Sequence, residues 1–245
     1  MSGRHAGRGV VISGGTSGLG LAAAKRFVDE GAKVWIMGAH TETLDGALAE
    51  VGAVGGSAGD ITDAAFVASA VDRAKTELGR IDVAFASAGI DGEAKGLLDL
   101  TAEHFRRVMD VNVVGTFLLA QAVAGEMQSG AAIVVNASVN GLRAERDFCD
   151  YNASKAAAVM LAKTMALDLA ERGICVTAIC AGYIRTRMTA PYLDDPAVEA
   201  EIRSQIPIGR IGTPEEVAGL VSFLASPDAA YMTGGVVTID GGRSA

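Results

Sequence analysis

The chain has 245 residues, half of them hydrophobic and a fifth charged, which excludes a disordered chain and suits one sizeable core. A formal net charge of −8 argues against a general nucleic-acid binder, which needs a basic footprint, while leaving room for a local anion site. The three cysteines (Cys149, Cys175, Cys180) form no even-numbered framework and the three histidines (His5, His40, His104) have no ligand spacing, so neither a disulfide scaffold nor a metal is expected.

Arg4 and Arg8 precede an apolar run too short for a signal peptide, and no apolar stretch is read as approaching the roughly 20 residues of a membrane span. A cytoplasmic protein is expected. In chain order, 10–12 reads as a buried strand, 19–30 as a helix closed by Gly31, 34–37 as a strand and 42–51 as a helix. A weak strand at 54–58 precedes a helix over 63–78, a strand at 83–86 and a long helix over 102–127. Then come a strand at 133–137, a second long helix over 151–172, a strand at 175–180, a helix over 214–225 and a last strand at 236–239. Residues 191–212 lack strong periodicity.

Apolar strands alternating with helices of ten or more residues predict an α/β fold: a doubly wound parallel sheet, Rossmann-like, of about seven strands with helices on both faces. No linker or repeat interrupts the pattern, so 1–245 reads as a single domain, with the irregular stretch around 183–212 as a substrate loop or lid.

The first strand runs into Ser13-Gly14-Gly15-Thr16-Ser17-Gly18-Leu19-Gly20 and then a helix. Glycines permit a sharp turn and a close approach of pyrophosphate to the backbone, where a helix N-terminus presents free N–H groups. Much later, Tyr151-Asn152-Ala153-Ser154-Lys155 opens a helix, and its spacing puts Tyr151 and Lys155 on one face. A phenol titrates near 10 in water, and a nearby ammonium favours the phenolate. Ser138, at the end of the preceding strand, is placed to hydrogen-bond a substrate oxygen beside the tyrosine.

With these features the chain resembles the short-chain dehydrogenase/reductase family, in its compact single-domain form, over essentially residues 8–243. The matching residues are the glycine turn, Asp60-Ile61, Ala88-Gly89, Asn112, Ser138, Tyr151, Lys155, Gly182 with Thr186, Met232-Thr233-Gly234 and Asp240-Gly241-Gly242. The resemblance implies a nicotinamide-dependent oxidoreductase acting on a secondary alcohol/ketone pair. Tyr151 would be general acid in reduction and base in oxidation. Lys155 would bind the nicotinamide ribose and lower the tyrosine pKa, Ser138 would hold the substrate oxygen, and Asn112 would hold a water linked to Lys155. The cofactor set would be Gly14, Thr16, Ser17, Gly18, Leu19, Gly20, Gly38, Ala39, Asp60, Ile61, Ala88, Gly89, Tyr151, Lys155, Gly182, Ile184 and Thr186. The implied assembly is a homotetramer built on the two long helices.

Two positions depart from the family pattern: Ala86 and Ser87 replace a pair of asparagines, and Ala181 replaces a proline. Gly38 stands where NAD-preferring members usually carry aspartate, and Ala39 where an arginine would pair with the 2′-phosphate of NADP. With no cation offered to that phosphate, the reading leans to NAD over NADP. An enoyl reductase on the same fold and a non-catalytic dinucleotide sensor are the alternatives. Arg143 and Arg146 read as a solvated loop, and Cys149, Tyr183 and Met188 as packing or pocket residues.

Overall fold

The computed structural model describes residues 3–245. Seven parallel strands form one sheet: β1 (Gly9–Ser13), β2 (Lys33–Gly38), β3 (Gly55–Ala58), β4 (Val83–Ala86), β5 (Ala132–Asn136), β6 (Cys175–Ala181) and β7 (Val236–Ile239). Their order across the sheet is β3-β2-β1-β4-β5-β6-β7. In register, Val10 lies between Val34 and Val83. The inner strands are buried end to end because both faces are covered, so no polar alternation survives in their sequences.

One face is covered by α1 (Gly18–Asp29), α2 (Thr41–Val51) and α9 (Pro214–Leu224), whose Phe27, Leu44 and Val221 join Val10, Ile12 and Val134 in one apolar layer. The other is covered by α3 (Ala64–Leu78), α5 (Gly115–Glu126) and α6 (Cys149–Leu169), where Val71, Leu119, Val123 and Ala162 meet Val11, Ala84 and Val135. Each large side chain so buried contributes about 1.5–3 kcal/mol. The expected doubly wound architecture is therefore present.

The helix predicted over 102–127 is not uniform. α4 (Ala102–Met109) runs into a π-helical turn at Asp110–Val114 and then into α5. This 102–126 stretch is also long and apolar enough by composition to cross a bilayer, contrary to expectation. It serves instead as a core helix, with Leu119 and Val123 wholly buried.

The N-terminal segment is tied into the body. His5 is fully buried, its Nε2 3.0 Å from the Ser222 carbonyl oxygen and its ring edge-on to Phe27. Burial pushes its pKa down, which keeps the ring neutral. Arg8 donates to the carbonyls of Ala225, Asp82 and Gly130.

The stretch 191–212 is more regular than its sequence predicts. It holds α7 (Ala190–Leu193) and α8 (Pro196–Ser204), and Leu193, Ile202, Ile206 and Ile211 form a small core with Tyr183 and Tyr192. Asp195 caps α8 by accepting from the N–H groups of Ala197 and Val198.

Candidate active site

β1 and β4 are neighbours in the sheet, but the chain leaves them toward opposite edges. In open parallel sheets that reversal opens a crevice beyond the strand C-termini. Here it is a cleft of about 1110 Å³. The glycine turn forms its floor. Gly14 has φ +64°, and a Cβ there would lie 2.7 Å from the Ala88 Cα. A Cβ on Gly20 would overlap the Gly14 carbonyl oxygen, so the start of α1 packs directly on the turn. Gly18, at φ +52°, faces the Thr186 methyl 3.5 Å from its Cβ position. The turn and the loop after β6 thus face each other across the cleft, beside the N-terminus of α1.

Thr16, Ser17, Leu19, Gly38, Ala39, Asp60, Ile61, Ala88, Gly89, Gly182 and Ile184 also border this cleft; Gly20 lies behind the turn. A Cβ on Gly38 would overlap the Thr16 methyl. Asp60 accepts from the Thr62 N–H and hydroxyl, which hold its carboxyl below the usual range. Ile61 and Ile184 turn their side chains inward, against Gly115 and Gly212, so it is mainly their backbone that is free to meet a ligand. Ser87 accepts a long hydrogen bond, 3.5 Å, from Asn136 Nδ2, while Asn136 Oδ1 has no partner. The departure at 87 therefore retains one link between β4 and β5.

Ser138 sits two residues past the end of β5, where its Oγ accepts from the Asn140 N–H at 3.1 Å. Tyr151 and Lys155 lie one turn apart on α6, with Lys155 Nζ 5.5 Å from the Tyr151 ring centroid. Lys155 is buried and donates to the Asn136 carbonyl oxygen at 2.8 Å. Gly89 closes on the same nitrogen, its Cβ position 3.6 Å away. Asn112 does not border the cleft. From the π-helical turn its Nδ2 donates to the Ile90 carbonyl and to Ser154 Oγ, both at 3.0 Å, and its Oδ1 accepts from the Ile90 N–H at 2.8 Å. It pins the loop after β4 to α6.

The electrostatics differ from the sequence expectation in one respect. The Tyr151 phenol is pushed up, not down, by burial and by the Asp91 carboxylate, with Ser138 opposing. The same burial lowers Lys155 to about 8. Burial disfavours both charged forms, so without a cofactor the lysine alone does not deliver a phenolate.

Of the residues read as doubtful, Arg143, Arg146 and Cys149 are exposed, and Met188 is exposed at the cleft rim. The sequence reading missed Asp91, Asn136, Phe148 and Tyr192. Asp91 follows Gly89 by two residues in the loop after β4, and that position was its available signal. His104 meets Asp150 at 3.3 Å and Glu93 at 3.4 Å, contacts with no local signature. No metal-binding cluster occurs among the described residues.

A family model described as enoyl-(acyl carrier protein) reductase matches residues 14–244. The chain is 38% identical to 2-(R)-hydroxypropyl-CoM dehydrogenase of Xanthobacter autotrophicus, covering 97% of this chain and 99% of the relative. It is 34% identical to 2-dehydro-3-deoxy-L-rhamnonate dehydrogenase (NAD(+)) of a Sphingomonas species, over 100% and 98%. The crystal structure of levodione reductase superposes with a TM-score of 0.93 at 35% identity, covering 98% of each chain. On these matches and this geometry, the chain belongs to the short-chain dehydrogenase/reductase family and is an NAD(P)-dependent oxidoreductase.

Proposed function

We propose that the chain interconverts a secondary alcohol and a ketone, with Tyr151 as the general acid and base. The observation that carries this reading is the meeting of Ser138, Tyr151 and Lys155 at one end of a cleft whose other end is a glycine cradle. A bound nicotinamide would supply or take the hydride, and its oxidised ring would add the second positive charge that a phenolate needs here. Ser138, whose Oγ accepts from Asn140 and donates a long 3.5 Å bond to the Ala181 carbonyl oxygen, would turn that proton to the substrate oxygen. Tyr151 gives its phenolic proton to that oxygen in reduction and takes it back in oxidation. Lys155, anchored on Asn136, would hold the ribose hydroxyls. Asn112 fixes the loop carrying Ile90 and Asp91 against α6, its side chain engaged by Ile90 and Ser154 rather than by the water read for it. The whole chain, 1–245, acts as one catalytic unit with 183–212 as its lid. Absorbance of the reduced cofactor, followed with a panel of ketones and secondary alcohols, tests the reading; the absence of turnover on every member overturns it.

NAD is the favoured cofactor. The Thr16 methyl occupies the space beside Gly38, Ala39 carries no charge, and His40 and Thr43, rather than Thr41, are the polar side chains that border the cleft beyond Ala39 to offer a 2′-phosphate. The relative named for NAD(+) is consistent with this. In steady-state kinetics NAD(H) should be preferred, but by less than about tenfold; a preference for NADP(H) of about tenfold or more, 1.4 kcal/mol, overturns the assignment.

The assembly is read as a homotetramer. Phe117 on α5 and Met160 and Leu167 on α6 stand exposed, Leu167 at 79%, on the two helices the family resemblance assigns to subunit contacts. Light scattering should report four copies of the 24.9 kDa chain, and a monomer at micromolar concentration refutes the assembly. The exposed free thiol of Cys149 suits a reducing cytoplasm.

A further inference from the structure

We propose that Asp91, oriented by Tyr192, is a specificity determinant that accepts a hydrogen bond from a hydroxyl or ammonium group beside the substrate's reacting carbon. It thereby selects vicinal hydroxy ketones, diols and amino alcohols over carboxylates and phosphates. The inference rests on the alcohol/ketone reading above and adds to it the substrate class.

Asp91 lies on the cleft wall with Ser138 and Tyr151. Its Oδ1 accepts from the Gly92 N–H at 2.9 Å, and its Oδ2 from the Tyr192 hydroxyl at 3.1 Å. Two bonds leave a carboxylate with spare acceptor capacity on both oxygens. Tyr192 belongs to α7 in the lid, and its ring stands edge-on to Phe148 at 6.3 Å, which in turn stands edge-on to Tyr151 at 6.5 Å. The bond from Tyr192 thus holds the carboxylate in a fixed direction, on the same cleft as the reacting groups.

The neighbouring carboxylate provides the contrast. Glu145 accepts from the Tyr183 hydroxyl at 2.9 Å and is paired with Arg243 at 3.4 Å, whose guanidinium also stacks 4.6 Å over the Tyr183 ring. Asp91 is half-buried and makes no ion pair among the described residues. The arginines that border the cleft, Arg106, Arg107 and Arg187, are exposed and none bonds it. Burial pushes its carboxyl up against the opposing bonds from the Gly92 N–H and the Tyr192 hydroxyl, with Asp150 adding to the rise and Lys155 opposing it. A desolvated, unmatched carboxylate at a reacting centre is unfavourable by itself, and a donor on the ligand offsets that cost. A ligand carboxylate or phosphate at the same place meets a like charge at low dielectric.

The test uses the enzyme with its cofactor and four substrates on one carbon skeleton: a simple secondary alcohol, a vicinal diol, an amino alcohol and a hydroxy acid. The wild type should show kcat/KM for the diol or amino alcohol about tenfold or more above that for the hydroxy acid. Asp91→Asn keeps the shape and removes the charge, and should lower that ratio by about tenfold, chiefly through KM of the donor substrates. A larger loss on the amino alcohol than on the diol identifies an ammonium as the preferred donor; equal losses identify a hydroxyl. Tyr192→Phe should raise KM for the diol while retaining discrimination against the hydroxy acid. If Asp91→Asn fails to fold, Asp91→Ser supplies the same comparison. A ratio unmoved by either Asp91 variant, or a wild type that prefers the hydroxy acid, overturns this inference alone. Failure of the wild type on all four, with reduced cofactor still bound, overturns the alcohol/ketone reading and this inference with it.

Discussion

Tyr151→Phe should lower turnover by a factor of about 100 or more, the scale of general acid–base catalysis, while cofactor affinity changes far less. The substitution keeps the ring, and with it the edge-on contact to Phe148 at 6.5 Å, so the fold around the cleft is retained. Only the atom that carries the travelling proton is lost. The raised phenol pKa gives the sign of the pH dependence in the wild type. Reduction needs the protonated phenol, so its rate should hold through neutral pH and fall only on the alkaline side. Oxidation needs the phenolate, so its rate should climb with pH. Steady-state rates in both directions check this, and a variant that keeps more than half its activity removes Tyr151 from the role.

Lys155→Ala should weaken cofactor binding by about tenfold or more, roughly 1.4 kcal/mol, because a buried donor to the ribose is lost. It also leaves the Asn136 carbonyl oxygen without the donor it has at 2.8 Å, an unmade hydrogen bond worth about 1–3 kcal/mol. Lower thermal stability should accompany the kinetic defect. The lysine, lowered to about 8, loses its proton as pH rises through that value. Its support for the phenolate therefore fades above pH 8, and the wild-type oxidation profile should bend over there. The variant never had that charge; its profile should lack the bend and lie at higher pH. Fluorescence titration with reduced cofactor separates the two effects, and unchanged affinity would remove the ribose contact from the assignment.

What could be read from the sequence was what is local. The strands at 83–86 and 236–239 have the bounds their apolar runs indicate. The glycine turn and the Tyr151–Lys155 pair are each encoded within a few residues, so their placement at one cleft follows from the sheet order. The lid was harder. α8 buries only Ile202, too little to show an apolar stripe, and its real start signal is Asp195 followed by Pro196. The direction of the tyrosine pKa in the cofactor-free site could not be read, because spacing reveals the ammonium but not the burial that outweighs it. Asp91 with Tyr192, and Lys155 with Asn136, are joined across the fold, where periodicity carries no information.

The π-helical turn at Asp110–Val114 has a consequence for which changes the chain can tolerate. It holds one residue more than an α-helical turn requires, and such bulges persist where that extra residue aims a functional group. Substitutions there act on one side chain at a time. A one-residue deletion would let the turn heal into regular α-helix, with α4 and α5 staying close to their present alignment because the bulge absorbs its extra residue locally. Asn112, which lies in the bulge, would turn away from Ile90 and Ser154. In this segment, the number of residues is constrained more tightly than their identity.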